Sequence, residues 1–230
     1  MHLLRAFVLA AAGMVSAQSG AWSDGFERPD LDADWVRVSS GDFNEQVVDI
    51  VDGRLRIRAD TMGTDDSTVK YLGVRTATGI AFDGEAEVRV DLDWNDQTNG
   101  SYLTSGMILS PHATEGNPLD SPDWLRIEYV GVPPGINGRI ALTSAVAGRV
   151  VPLYTEGWPQ QNRAGRRIGL QRLRLHVTGR QFELFENLDS VFQSQPDAIP
   201  FDSVYLYLQI SSHSNYRARE VFFDNVQILP

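Results

Sequence analysis

The sequence predicts an all-β protein, either an antiparallel sandwich or a closed barrel. Three observations carry this prediction. Short apolar/polar alternations of period two recur along the chain, the pattern of strands with one buried face. Turn residues punctuate them every 8–12 residues or so, roughly the spacing of sandwiches and barrels. Beyond the first seventeen residues, no stretch longer than about ten keeps a 3.6-residue period.

Residues 1–17 read as a leader. Arg5 precedes an apolar run from Ala6 to Val15, and Val15-Ser16-Ala17 offers small residues for cleavage, the pattern of a secretory signal. The run is shorter than the roughly 20 residues that a membrane helix needs. No other stretch is long and apolar enough to be a transmembrane segment. The expectation is a secreted or periplasmic protein with one domain over residues 18–230.

In that domain Ser23–Asp30 opens the chain, with Phe26 and Trp35 as candidate anchors. Val47–Ile50 and Arg54–Arg58 flank Asp52-Gly53, a strong hairpin signal. A polar loop, Thr61–Thr68, leads to a short strand, Val69–Arg75. Gly84–Asp93 is the clearest strand: Ala86, Val88, Val90 and Leu92 face inward, while Glu85, Glu87, Arg89, Asp91 and Asp93 face out. After a turn over Asn95–Ser101, Tyr102–Ser110 is a strand in which Gly106 permits close approach of a neighbouring backbone. Pro111–Pro122 is a long loop. Strands Asp123–Val130 and Arg139–Val146 flank a turn over Pro133–Gly138. Val151–Arg167 has no clean period and reads as a loop or sheet edge. Leu170–Val177 and Gln181–Glu186 form a hairpin about Thr178-Gly179, and Leu188–Phe201 is a connection with room for a helical turn. Ser203–Ser211 alternates Val204, Leu206, Leu208 and Ile210 against Tyr205, Tyr207, Gln209 and Ser211. The last strand is apolar at Val221 and Phe223 and, after the Asp224-Asn225 step, at Val226 and Ile228. A strand this apolar needs a sheet already in place, so the C-terminus closes the fold.

Composition excludes several functions. The net charge is -10 with Lys70 the only lysine, which argues against nucleic acid and anionic membranes, whose affinity comes from neutralised phosphates. With no cysteine there is no thiolate nucleophile, no Cys-ligated zinc and no disulfide framework. A chain of this size buries enough surface to fold without one. There is no phosphate-binding glycine loop, no G-x-S-x-G elbow, and no metal-ligand spacing among the histidines.

Asp24-Gly-Phe-Glu-Arg-Pro-Asp-Leu31, Leu173-Arg-Leu-His-Val-Thr-Gly-Arg-Gln-Phe-Glu-Leu-Phe-Glu-Asn187 and Val221-Phe-Phe-Asp-Asn-Val-Gln-Ile228 together resemble the concanavalin A-like lectin/glucanase jelly rolls. Leu188 departs from the glycine that usually follows Asn187. The resemblance implies an antiparallel jelly-roll sandwich whose concave sheet binds a poly- or oligosaccharide.

Four constellations are candidates for chemistry. Asp91-x-Asp93-x-x-Asp96 resembles the E-x-D-x-x-E signature of laminarinase-type hydrolases, with each glutamate shortened by a methylene. A retaining hydrolase needs two carboxyls about 5–5.5 Å apart. The same residues also suit a solvated strand end running into an Asx-rich turn. Trp124, Arg126 and Glu128 share one strand face and could stack and hydrogen-bond a sugar, or simply pair charges beside a packed ring. Arg174 and His176, if placed beside Tyr205, Tyr207 and Gln209, resemble a lyase site, with His176 or Tyr207 abstracting a proton and Arg174 neutralising a uronate. His213 and Tyr216 fall in the loop that follows. Asp24 and Asp224, brought together by pairing of the first and last strands, admit a structural calcium; no other cofactor is expected. The functional expectation is a lectin-like carbohydrate-binding protein, with a polysaccharide-cleaving hydrolase or lyase as the alternative.

Overall fold

A computed structural model describes residues 20–65, 68–82, 84–93, 103–131, 138–155, 169–212 and 217–230. The leader, Asp96, His213 and Tyr216 lie outside them. The strands are β1 Trp22–Asp24, β2 Trp35–Ser40, β3 Glu45–Val51, β4 Arg54–Asp60, β5 Lys70–Thr76, β6 Ile80–Ala81, β7 Glu85–Asp93 and β8 Leu103–Ser110. They continue with β9 Trp124–Gly131, β10 Gly138–Val146, β11 Arg149–Thr155, β12 Leu170–Thr178, β13 Gln181–Glu186, β14 Asp189–Gln193, β15 Ser203–Ser212 and β16 Arg219–Leu229.

These strands form two antiparallel eight-stranded sheets. The first runs β14-β13-β12-β7-β16-β4-β3 with β1 added on β16, and the second runs β11-β10-β9-β8-β15-β5-β2 with β6 added on β15. The two sheets pack face to face as a sandwich over one continuous apolar core. Val88, Val90, Leu92, Leu175, Val221 and Phe223 of the first sheet meet Leu72, Val74, Met107, Ile127, Leu206 and Leu208 of the second. The alternations in the sequence assign those faces directly, because a one-residue slip would turn each strand inside out.

β16 lies inside its sheet, between β7 and β4. Its pairing with β7 shifts register between Asp224 and Gln227, and Asn225 takes φ 48° at the bulge. That extra residue resets the parity, so Phe223 and Val226 both reach the core. The Asp52-Gly53 hairpin has φ 52° and 70° at its two central residues, the left-handed pair a tight two-residue turn requires.

The stretch read as a loop or sheet edge begins with an edge strand, and the connection after Asn187 begins with a short strand. Arg149–Thr155 hairpins back on β10 and forms the outer edge of the second sheet. Its alternation is blurred because Val150 and Val151 are both exposed there. Asp189–Gln193 hairpins onto β13 through Asn187 at φ 58°, in place of the expected helical turn. The two-residue bend Asn187-Leu188, with Leu188 94% exposed, does the work expected of a glycine.

Candidate functional site on the outer face of the second sheet

Strand pairing lays out the outer face of the second sheet in rows. One row is Ala141, Glu128, Gly106, Gln209, Gly73 and Val38, one residue per strand from β10 to β2. On one side is the row Arg126, Ile108, Tyr207, Arg75, and on the other Thr104, Ser211, Tyr71. Trp124 and Tyr205 lie one step further on. Trp124, Arg126, Glu128, Tyr205, Tyr207 and Gln209 therefore do share one face.

The two glycines shape its centre. A Cβ on Gly73 would lie 2.2 Å from the Leu208 carbonyl oxygen, and one on Gly106 2.1 Å from that of Ile127. Neither position tolerates a side chain, so Gln209 stands between two lanes of bare backbone.

Gln209 points away from the core yet is 0% exposed, so this face is recessed rather than open to water. Its Oε1 and Nε2 both lack a hydrogen-bond partner, as does the hydroxyl of Tyr71, which is equally buried. Burial pushes the Tyr71 phenol well above its ordinary pKa, and Tyr207 beside it adds to the shift. Leaving such groups unpaired costs about 1–3 kcal/mol each. Arg126 is held on both sides: its guanidinium meets Glu128 at 3.1 Å and lies 5.8 Å from the Trp124 ring centre.

The Pro111–Pro122 loop straps the other half of the face. Tyr207 Oη donates to the His112 carbonyl at 2.6 Å and accepts from the Thr114 amide at 3.0 Å. Arg75 Nε donates to the Thr114 carbonyl at 3.0 Å. The Ser39 amide, at the free edge of β2, donates to the Glu115 carbonyl at 3.0 Å. On its return the loop makes a 3₁₀ turn, Pro118–Asp120, capped by Asn117, and Trp124 Nε1 donates to the Leu119 carbonyl at 3.2 Å. Under this strap Trp124, Tyr205 and Tyr207 form a buried cluster with Ile108, Val38 and Tyr71. The aromatic rings expected as a sugar platform are roofed, and the polar row through Gln209 remains beside them.

The other predicted residues lie elsewhere. Arg174 and His176 are on β12 in the first sheet, so the structure does not bring them to Tyr207; the two groups sit on opposite outer faces of the sandwich. Arg174 pairs with Glu87 at 3.4 Å and lies over the Phe185 ring at 3.8 Å. His176 sits near Glu85 and Glu87 at 3.6 and 3.8 Å.

Asp91 and Asp93 face out from the first sheet as well. Asp93 meets Arg54 at 3.3 Å, and Asp91 accepts from Asn225 at 3.0 Å, with Arg172 at 3.9 Å. The pairing partner of Asp91 on β16 is Asp224. Burial pushes the Asp224 carboxyl above its usual range, with Asp91 and Glu27 adding to the shift. Arg172 and Arg54 flank this like-charged pair within a ladder of alternating charges.

Asp24 pairs with Val226 rather than with Asp224. Its carboxylate accepts from the Phe26 amide (2.7 Å), from Arg28 twice (2.6 and 2.7 Å) and from Trp35 Nε1 (2.7 Å). Those bonds occupy the roughly four acceptor positions of a carboxylate, so Asp24 works as a hub tying the N-terminal segment to β2. Among the described residues, no three His, Asp or Glu side chains gather in a way that could hold a metal ion.

Tyr71, Gly73 and the strap are the parts of this face that sequence reasoning missed. A signal existed for the first two: Tyr71, Gly73 and Arg75 alternate with Leu72 and Val74.

No protein-family profile matches the sequence, and no curated protein does. Solved structures do. The chain superposes on the catalytic domain of an endo-1,3-β-glucanase (laminarinase) from Thermotoga petrophila RKU-1 with TM-score 0.61 and 12% identity, covering 91% of this chain and 96% of that one. For the Bacillus licheniformis β-glucanase the values are 0.58 and 10%, over 92% and 99%. For the CBM2 module of the Lactobacillus casei BL23 phage J-1 evolved Dit they are 0.65 and 7%, over 91% and 95%. The fold of this chain is an antiparallel jelly-roll β-sandwich, concanavalin A-like.

Proposed function

We propose that this protein is exported and engages a polysaccharide on the outer face of its second sheet, in the row from Glu128 to Gly73. The observation that carries the reading is Gln209: an amide with donor and acceptor both unpartnered, fully buried, between two glycines. Unsatisfied buried polar groups are rare in folded proteins and concentrate where a ligand or water completes them. Sugar hydroxyls both donate and accept, which is what Gln209 and Tyr71 lack. A ligand reaching them displaces whatever covers Gln209 in the free protein.

Binding is the function this geometry supports best. Glycoside hydrolysis uses two carboxyls flanking the bond, and Glu128 is the one carboxylate that the described strands place on this face. Cleavage is the second reading, favoured by the glucanases among the structural neighbours; Glu128 would act as its acid. The test incubates the mature protein with insoluble β-1,3-glucan and mixed-linkage β-glucan, then measures retention and the masses of soluble products. Retention that Gln209→Met abolishes, without shortened chains, supports binding. Shortened chains carrying an added water, lost in Glu128→Gln, would establish the hydrolase instead. Protein that passes through unretained and leaves every glycan intact sinks the proposal.

A further inference from the structure

We infer that the sugar unit seated on Gln209 presents two free neighbouring ring hydroxyls, so that among β-glucans the site takes 4-linked units in preference to 3-linked ones; the inference rests on the glycan reading above. On the outer face of β15 the side chains on either side of Gln209 are already occupied. Tyr207 holds the strap with both of its bonds, and Ser211 Oγ lies 2.6 Å from Thr104 Oγ1. Gln209 Oε1 and Nε2 have no partner among the described residues, nor does the Tyr71 hydroxyl. Tyr71 stands one diagonal step from Gln209, since β15 pairs Gln209 with Gly73 and Ser211 with Tyr71.

The amide sets the pattern a ligand must match. Its oxygen only accepts and its nitrogen only donates, and both sit on one carbon, so the ligand must bring a donor and an acceptor side by side. One hydroxyl bridging both atoms would bend each bond away from the straight geometry that hydrogen bonds prefer. Two hydroxyls on adjacent ring carbons, held gauche by the chair, meet the two atoms in parallel, as paired groups do in bidentate contacts. Gly106 and Gly73 are paired with Gln209 on its two sides and carry no Cβ, so a ring can descend edge-on to the amide. A glucose unit linked through O4 keeps O2 and O3 free as such a pair. A unit linked through O3 keeps only O2 and O4, which diverge on either side of the linkage. It satisfies one amide atom and leaves the other buried without a partner, the situation in which a polar site discriminates most strongly.

The test is calorimetric titration of three β-linked glucose hexamers into the full mature protein. The first is 4-linked. The second is the same hexamer with fluorine in place of each hydroxyl at C2, which keeps linkage and shape. The third is 3-linked, a methyl glycoside with its terminal O3 methylated, so that no unit has free neighbouring hydroxyls. Wild type is expected to bind the first about tenfold or more tightly than either of the others. In Tyr71→Phe, which keeps the amide and removes the phenol contact, the affinities are expected to fall together with their ratios retained. A 3-linked hexamer that binds as well as the 4-linked one, or a fluorinated hexamer that loses nothing, overturns the inference while leaving glycan binding intact. A preference that disappears in Tyr71→Phe overturns it too, by moving the discrimination to the phenol. Should that variant fail to fold, the wild-type ratios decide alone. Failure of wild type to bind any of the three refutes the glycan reading itself, and the inference with it.

Discussion

Replacing Gln209 by methionine separates stability from function. Methionine keeps the length and most of the volume of the side chain while removing both unpartnered polar atoms. A buried polar group without a partner costs about 1–3 kcal/mol, and Gln209 is 0% exposed with its oxygen and nitrogen both unpaired. Part of the gain is offset by imperfect packing of the thioether, so the variant should be more stable by about 1–2 kcal/mol. For a domain of this size that is a rise in Tm of about 2–8 °C, readable by scanning calorimetry. Glycan retention should be lost in the same protein. A Tm lowered by a similar margin would refute the reasoning, because it would mean the amide is satisfied in the folded state and holds the sheet together. A stabilised variant that still binds glycan with unchanged affinity would refute the site instead.

Tyr71→Phe should flatten the alkaline limb of the stability curve. The unfolded phenol ionises near pH 10 while burial keeps the folded one protonated, so the Tyr71 contribution to stability is constant below that pH and falls above it; equal slopes in the two proteins from pH 10 to 11 would contradict this. Tyr207→Phe removes both bonds to the strap and should cost about 1–2 kcal/mol, with faster amide exchange at Thr114 in particular; unchanged exchange there would show that the strap is held by other contacts. Asp24→Asn should cost about 2–3 kcal/mol at pH 7. Burial alone would raise the Asp24 pKa, but the bonds from Arg28, Trp35 and the Phe26 amide lower it overall. Its contribution is present above pH 4 or so and is lost as pH falls further, so a wild-type acid limb as shallow as the variant's would contradict the hub. Asp224→Asn should stabilise by a few tenths of a kcal/mol at pH 7 after solvent screening. Its raised pKa makes the ionised form unfavourable in the fold, so the gain should vanish below about pH 3; a gain that persists there would point to a cause other than charge.

The fold was legible because a sandwich writes itself into the sequence with period two. Gly84–Asp93 and Ser203–Ser211 each bury one parity and expose or recess the other, and the parity switch at Asp224-Asn225 is visible as two polar residues between Phe223 and Val226. Legibility fails at the edges. β11 is flanked by one neighbour only, so Val150 and Val151 need not alternate, and β14 is too short to establish a period. Hairpins such as Ala147-Gly148 and Asn187-Leu188 close on left-handed residues that are not all glycine, so their turns carry a weak signal.

The candidate site was legible in its members but not in its grouping. Outward parity is a property of one strand, and it correctly put Trp124, Arg126, Glu128, Tyr205, Tyr207 and Gln209 on outer faces. Which outer face is a property of strand order, which a sequence of alternating strands does not encode. Arg174 and His176 have the same parity signature as Tyr207 yet lie on the other sheet. Nor does parity distinguish a solvated outward residue from a roofed one. Asp91 and Gln209 look equivalent in sequence, but Asp91 sits in a wet ladder with Asn225, Arg172 and Asp224, whereas Gln209 is sealed between glycines. The proposed function turns on that difference. In the ladder Asp91 already meets Asn225 and Arg172, so nothing further is needed to complete it. Around Gln209 the fold tolerates two unmade hydrogen bonds and two positions where a Cβ cannot fit. A cost of that kind at the centre of one sheet is what the proposed glycan would relieve.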